Sequence, residues 1–531
     1  MIGCMGRCFA DRALLSLLIA CGIVLFVTMP AEIIPSDTFA SRSEAAHLIT
    51  NHVLGFDYLC RQQPIGDFLQ PHKGEYFYEN DGKRMFFSKY GIMDTLMYVP
   101  PLFAEYLWAG KVDDLDSARS TVFFLNLYNI ILALICIYYF YKLVEFYGDD
   151  RFIKVIFVLA SVFCTYLWFF LRMQMHEIFQ LLFFLGFFYH AVLFLKASRQ
   201  QYPSGTWFHL LVAVLFLGGL VLTKIFFAVI MASVLLIVLW SGPENLLLRE
   251  RIQYHLRCHK KDIAGCLLVP LLLVVVVQLW LNFYKTGSLW DAGYSQEAIS
   301  VAGAHFSLKT LGESIPGYFL RPGNTNVFLH YPPLLLALFG VVAFGKRWRD
   351  DLLLILVVVC PCLVALTLYE GWRGEWSYGP RYLLPFAVVG SLPALAAIGY
   401  LRRQMGSWWG RVAVAITVVV LAWSLLLQVS VNSVNPWAFY YHQEVMMAVG
   451  DHEIDDYFNS YLHRGQIYLD ILAYRLGWPG KSYFPVAVVQ EKYPEIYAAS
   501  SFHTSLLIRC QPNYFFLNFL FPESVAQAVS P

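Results

Sequence analysis

Three acidic residues stand where a reaction at a membrane surface would need a carboxylate. Asp37 and Glu44 lie in a long polar stretch that follows the first apolar segment. Glu177 follows His176 in RMQMHE, a short turn between two apolar segments. A carboxylate at this level suits a general base, and Asp37 with Glu177 would also suit a divalent ion. The plainer interpretation is that Asp37 caps a helix and that Glu177 begins one.

Basic and aromatic residues elsewhere would suit an anion. The stretch WRGEWSYGPRYLLP between two apolar segments contains Arg373, Tyr378, Arg381 and Tyr382. Two guanidinium groups in one loop can clamp a phosphate through charge-assisted hydrogen bonds. Lys224 interrupts a long apolar stretch, where a cation without an anionic partner is costly. For these basic residues, contact with lipid headgroups or with water is the alternative.

The composition is that of a polytopic membrane protein. The 531 residues are 58% hydrophobic and only 14% charged, whereas soluble domains carry about 25% charged residues. The net charge of +1 says nothing about a nucleic-acid partner, but the sequence has no basic cluster suited to one. Apolar stretches predict about eleven transmembrane helices. They lie at 13–30, 119–141, 152–171, 177–195, 207–223, 225–241, 263–283, 328–345, 351–369, 381–400 and 411–430.

Lysine and arginine predict which side of the membrane each connection faces. With the N-terminus inside, the inner segments hold eighteen of these residues, and the outer connections after the first long loop hold seven. The positive-inside rule therefore places the N-terminus in the cytoplasm and the C-terminus outside.

Two regions are predicted along the chain. Residues 1–430 form a transmembrane module with a large outer loop at 31–118, and residues 431–531 form an outer, aromatic-rich C-terminal region. Cys60 and Cys510 lie in the outer polar parts, where they either pair or stay reduced.

The outer loop is predicted to carry two interfacial helices. The first spans 38–53, with Ser36 or Asp37 placed to cap it. The second spans 92–108 and is expected to break at Pro100-Pro101. Both would lie along the membrane surface.

Several motifs together resemble the GT-C superfamily of integral membrane glycosyltransferases. The nearest likeness is to bacterial relatives of protein O-mannosyltransferases and of aminoarabinose or lipopolysaccharide-core sugar transferases. In order, the motifs are PSDTF, the SKYG segment from Ser88 to Pro100, the MHE turn, GSLWDAGY and WSYGPRYLLP. The resemblance implies an all-α, GT-C-like bundle with a large first outer loop. The chain departs from the family where Thr38 follows Asp37, since a second acid is common there.

The resemblance also implies a reaction and a set of roles. A sugar moves, with inversion, from a polyprenyl-phosphate donor to a lipid, glycan or protein acceptor. Asp37 takes the base role with Glu44 as the alternative, and Glu177 orients the acceptor or a metal. The phosphate-binding candidates are Lys89, Lys224, Arg373 and Arg381. The other substrate-binding candidates are His176, Tyr90, Tyr378 and Tyr382. No cofactor is certain, and Mg²⁺ or Mn²⁺ is the candidate cation.

The implied setting is the bacterial inner membrane, with the reaction on the periplasmic face and membrane lipids as further partners. The alternative from another class is a lipid or oligosaccharide transporter, or flippase, without transferase activity. A transporter is expected to line several spans with polar residues at mid-membrane, whereas the charges here lie at the ends of the apolar segments. A transferase like the O-antigen ligases is a third possibility, but its large outer loop usually comes late in the chain.

Overall fold

The computed structural model of the protein describes residues 12–30, 38–57, 75–80, 83–88, 90–112, 119–148, 150–199, 205–242, 248–291, 306–374 and 378–433. Asp37, Lys89, Cys60, Cys510 and the chain beyond residue 433 lie outside these ranges. The predictions that concern them stay predictions.

Helices make up most of the described chain, as the sequence predicts. They are α1 (Arg12–Val27), α2 (Phe39–Asn51), α3 (Ile92–Ala109), α4 (Arg119–Glu145), α5 (Arg151–Phe163), α6 (Leu167–Arg172), α7 (Glu177–Arg199), α8 (Thr206–Thr223), α9 (Val229–Trp240), α10 (Leu248–Cys258), α11 (Lys260–Thr286), α12 (Leu311–Phe319), α13 (Val327–His330), α14 (Pro333–Arg347), α15 (Arg349–Leu368), α16 (Leu384–Gly390), α17 (Ala394–Arg403) and α18 (Trp408–Ser433). Short 3-10 turns lie at Ile225–Ala228, Leu308–Thr310 and Arg381–Leu383.

The membrane-spanning character that the composition predicts is present in the described residues. Six helices are long and apolar enough to cross a membrane, namely α4, α7, α8, α11, α15 and α18. A seventh span results if Arg381–Gly390 and Ala394–Arg403, which meet at a 47° bend, are taken as one. Helix α1 and the segment Ile225–Trp240 are apolar but shorter. Each of the eleven predicted apolar segments contains at least one helix, so the polytopic all-α class is confirmed.

Helix α7 lies at the centre of the bundle. It packs against α4 and α8, and its residues from Glu177 to Phe188 are all buried. By contrast, α11 and α18 expose most of their apolar surface. Only 11% of the most apolar stretch of α11 is buried, and 17% of that of α18. Such surface suits contact with lipid, whereas α7 carries the acidic residue at its start into the interior of the protein.

The first polar loop combines two helices with a small sheet. Helix α3 runs without interruption through Pro100 and Pro101, so the predicted break is wrong. Its buried Tyr98 and Leu102 belong to the hydrophobic core, and such packing can outweigh the local cost of proline. Thr38 is the N-cap residue of α2, a position that the sequence had suggested for Ser36 or Asp37.

The sheet in this loop was not predicted. Strands β1 (Phe56–Asp57), β2 (Glu75–Asn80) and β3 (Lys83–Ser88) form an antiparallel sheet in the order β1-β3-β2. Glu75 pairs with Ser88 in the β2–β3 register. The sheet therefore delivers the end of β3 to the side of α2, against which it packs.

Candidate active site

The polar residues that the sequence singles out belong to elements that meet at one end of the bundle. Helix α7 and the 3-10 turn Arg381–Leu383 begin there, whereas α8 and α11 end there. Because neighbouring antiparallel helices alternate in direction, the start of one lies beside the end of the next. The start of α3 joins them through Gly91, whose N–H donates to the carbonyl oxygen of Thr223 at 3.0 Å.

Glu177 is a buried acid with cationic neighbours. Its side chain is 2% exposed, and its Oε1 lies 3.8 Å from Nη1 of Arg381 and 3.4 Å from Nε2 of His176. Within the described chain, no hydrogen bond reaches either carboxylate oxygen. Its burial was not predicted, since the sequence placed it in a turn at the membrane boundary. A buried acid without donors is suited to accept a proton or a hydrogen bond from a ligand.

Two cations share one aromatic ring beside this acid. Nζ of Lys224 lies 4.4 Å from the ring centroid of Tyr382, and the guanidinium carbon of Arg381 lies 5.0 Å from it. Nη2 of Arg381 also lies 3.3 Å from the Tyr382 hydroxyl. Gly374 makes room for this group, because a Cβ there would lie 3.1 Å from Cγ of Arg381 and its φ is +59°. The structure therefore places Arg381 beside Glu177, and Lys224 against the same ring as Arg381.

Glu44 forms a fully buried polar cluster with three other elements. Its Oε1 accepts from the backbone N–H of Ser88 at 2.8 Å, and its Oε2 accepts from the Thr95 hydroxyl at 2.6 Å. Nζ of Lys285 lies 3.5 Å from Oε1 and donates to the Ser88 carbonyl oxygen at 3.1 Å. This cluster joins α2, the end of β3, α3 and α11. Both oxygens of Glu44 are therefore already engaged within the protein.

Asp94 is an acidic residue of the site that sequence reasoning missed. It lies in the first turn of α3, is fully buried, and has no hydrogen-bond partner on either oxygen among the described residues. Burial and the nearby charge of Glu177 raise its pKa well above the ordinary value, although Lys224 and Lys285 pull in the other direction. The available signal was its place five residues after Lys89, at the start of an apolar segment.

Tyr90 and His176 lie against each other at the edge of the cluster. Their ring centroids are 4.6 Å apart, and the backbone N–H of Tyr90 donates to the Ser88 hydroxyl at 3.2 Å. This contact brings the segment between β3 and α3 to the start of α7. Both residues were predicted as substrate-binding candidates, and both lie beside Glu177 or the Glu44 cluster.

Arg373 and Tyr378 were also site candidates, and they make their contacts elsewhere. Arg373 pairs with Glu313 at 3.3 Å, and both side chains are mostly exposed. The Tyr378 hydroxyl accepts from Nε2 of Gln428 at 2.9 Å, on α18. Arg373, Tyr378 and Arg381 therefore contact different neighbours, although they belong to one loop in the sequence.

The described residues do not fit a divalent-cation site. They contain no group of three or more His, Cys, Asp or Glu side chains placed to hold a metal ion. The nearest cations to Glu177, moreover, would repel one. The predicted Mg²⁺ or Mn²⁺ thus depends on residues outside the described ranges, and no step below is assigned to it.

Comparison with known proteins gives distant likenesses only. No family model and no curated protein matches the chain. A structure of the archaeal oligosaccharyltransferase AglB from Archaeoglobus fulgidus, in complex with an inhibitory peptide and a dolichol-phosphate, is similar at 12% identity and a TM-score of 0.42, over 92% of this chain and 60% of that one. The apo structure of ArnT from Cupriavidus metallidurans is similar at 13% identity and a TM-score of 0.45, over 91% of this chain and 73% of that one. The chain spans about three fifths of the length of AglB.

Proposed function

We propose that the protein is a membrane glycosyltransferase that moves a sugar from a polyprenyl-phosphate donor to a hydroxyl group of an acceptor. One observation carries the proposal. The carboxylate of Glu177 is buried beside Arg381, and Arg381 shares the ring of Tyr382 with Lys224. A carboxylate next to two cations suits a reaction in which a hydroxyl loses a proton while a phosphate leaves.

In the proposed reaction the acceptor oxygen bonds to the anomeric carbon of the sugar as the bond from that carbon to the phosphate oxygen breaks. The acceptor proton passes to a carboxylate, and the bonding electron pair leaves with the phosphate. Lys224 and Arg381 stabilise the charge that develops on the leaving group. The hydroxyl attacks from the face opposite to the phosphate, so the configuration inverts.

The roles of the acids follow from their surroundings and from the family resemblance. Asp37 is the proposed base, because the resemblance gives this role to an acid just after the first helix. Glu177 orients the acceptor, since both of its oxygens lack a hydrogen bond from the described chain. Glu44 anchors the loop, because its oxygens already accept bonds from Ser88 and Thr95. Lys89 is a further phosphate-binding candidate by resemblance.

The proposed setting is the bacterial inner membrane, with the N-terminus in the cytoplasm and the site on the periplasmic face. The charge bias of the connecting segments supports this orientation. The donor phosphate would then lie at the level of the lipid headgroups. The acceptor is a lipid, glycan or protein of the cell envelope.

The test uses purified protein with a panel of radiolabelled polyprenyl-phosphate sugars. Wild type is expected to consume at least one donor. Arg381→Gln should lower kcat/KM by about 10²- to 10³-fold, because a fixed charge at the leaving group is lost. Asp37→Asn should lower kcat by about 10²- to 10⁴-fold through loss of the base. Arg321→Gln is the matched control, since Arg321 is exposed and should leave turnover unchanged.

Two outcomes would contradict the proposal. Wild type that consumes no donor would remove the enzymatic function, and full turnover by Arg381→Gln would remove the leaving-group site. The same donors in liposomes that contain the protein distinguish an enzyme from a flippase. A flippase would move the donor between leaflets with its sugar linkage intact, whereas the proposed enzyme releases polyprenyl phosphate.

A further inference from the structure

The proposed reaction leaves one buried carboxyl of the site without a role. Asp94 is fully buried, yet no hydrogen bond among the described residues reaches either of its oxygens. Glu44 is buried to the same degree, but its two oxygens accept two hydrogen bonds and lie beside Lys285. A buried carboxylate needs such donors to remain charged. The contrast indicates that Glu44 is suited to carry a charge and Asp94 to carry a proton.

We propose that Asp94 is protonated in the resting site and thereby sets the charge of the ligand that Lys224 and Arg381 bind. Lys285 is matched by Glu44, and Glu177 offsets one of the two remaining cations. With Asp94 neutral, Lys224, Arg381 and Glu177 together keep one net positive charge, which suits a phosphodiester with a single negative charge. Ionised Asp94 would cancel that charge and weaken the binding. The inference rests on the proposed function, because it concerns the same anion site.

The charged groups that shift the pKa of Asp94 come from three other elements, and α2, which packs against α3, adds the buried Arg42 and Glu44. Burial is the largest cause that raises its pKa, and the charge of Glu177 on α7 raises it further. Lys224 at the end of α8 and Lys285 on α11 lower the pKa, by less. The first turn of α3 also favours a charged form. That effect is smaller than the cost of a buried charge without donors.

This assignment gives the site a defined pH dependence. Asp94 is neutral at pH values where an ordinary aspartate is ionised, and it loses its proton only as the pH rises through its raised pKa. Binding of a phosphodiester is therefore tight below that pKa and weaker above it. His176 lies beside Glu177, so its contribution is measured with a separate variant. Tyr98, one turn along α3, titrates at far higher pH because burial raises its pKa.

The experiment measures binding of farnesyl methyl phosphate, a phosphodiester whose single charge does not change between about pH 5 and pH 9. We expect the affinity of wild type to fall by roughly tenfold or more as the pH rises through the raised pKa of Asp94, because a nearby carboxylate becomes charged. Asp94→Asn, which is neutral at every pH, should lose this fall and keep the tight binding at high pH. His176→Asn is the matched control and should retain the fall.

The outcomes separate this inference from the proposed function. Wild type that does not bind the phosphodiester at any pH would remove the anion site itself. Binding that is independent of pH, in a wild-type protein that shows no infrared carbonyl band of a protonated carboxyl, would overturn the role of Asp94 and leave the proposed function standing. An Asp94→Asn variant with the wild-type pH dependence would do the same. If that variant does not fold, the infrared carbonyl band of a protonated carboxyl in wild type, followed through the same pH range, decides the protonation state.

Discussion

Lys285 joins the first polar loop to the helix bundle. It is 7% exposed, and its ammonium group reaches both the Glu44 carboxylate and the carbonyl oxygen of Ser88. A buried ion pair costs desolvation, so it adds little over an apolar pair of similar volume. Removing one partner is different, because the other charge then stays buried alone. Lys285 therefore specifies where α2 and β3 dock more than how strongly they dock.

The residue-scale prediction is that Glu44 and Lys285 are strongly coupled. Glu44→Gln and Lys285→Met should each lower the stability of the folded protein by about 3 kcal/mol, because each leaves one buried charge uncompensated. The double variant should lose much less than the sum of the two. Thermal unfolding of the four proteins in one detergent measures the coupling. Lys309→Met, at an exposed position, is the control. Additive losses would show that the two side chains act independently.

At the scale of elements, the site depends on how closely the start of α3 approaches the end of α8. A Cβ on Gly91 would lie 1.8 Å from the carbonyl oxygen of Leu222, so only glycine fits at this contact. The obstructing atom belongs to the backbone and cannot rotate away. The contact places Asp94, three residues later, on the same side as Lys224, two residues after Leu222. One small residue therefore brings an acid and a cation together.

The element-scale prediction concerns this contact. Gly91→Ala should separate α3 from α8, with a loss of about 2 kcal/mol in stability and a lower affinity for a phosphodiester. Gly340→Ala is the control for stability, because its Cβ would lie 2.0 Å from the Pro393 carbonyl oxygen in a contact between α14 and the start of α17. That variant should be destabilised but bind normally once folded. Gly399→Ala, which meets nothing within 4 Å, should be neutral or stabilising. Normal binding by Gly91→Ala would contradict the role given to the contact.

The sequence predicts the helices well and the polar partners less completely. Long apolar stretches indicate spans by themselves, which is why every predicted segment contains a helix. The charge bias of the connecting segments predicts only that Glu177, Lys224 and Arg381 lie on the same side of the membrane. The sequence does not show which neighbour each polar side chain contacts or how deeply it is buried. Arg373 turns to Glu313, 60 positions before it, and Asp94 looks like an ordinary helix-start acid until its burial is known.

At the scale of the whole molecule, charge divides the bundle into two unlike ends. The end opposite the site holds the ion pairs Lys196 with Asp351, Arg199 with Asp350 and Arg402 with Asp150, and of these six side chains only Asp351 is buried. The site end holds buried acids and cations with few exposed pairs. Surface pairs of the first kind contribute little to stability, and an excess of basic residues at one end is typical of the cytoplasmic side. The proposed orientation, with the site facing away from the cytoplasm, remains a prediction that rests on the excess of basic residues in the inner connections.

Cysteine labelling from one side of the membrane tests this orientation directly. Cys258 is exposed at the end of α10, on the far side of the bundle from Lys309, whose segment follows the site end of α11. The first variant keeps Cys258 and has alanine in place of every other cysteine. A membrane-impermeant maleimide is added to spheroplasts, whose inner membrane is intact. Cys258 should stay unlabelled until the spheroplasts are lysed. Lys309→Cys, in a protein without any other cysteine, should be labelled at once. The reverse pattern would place the buried acids and their cations on the cytoplasmic side, where a donor presented at the outer leaflet could not reach them.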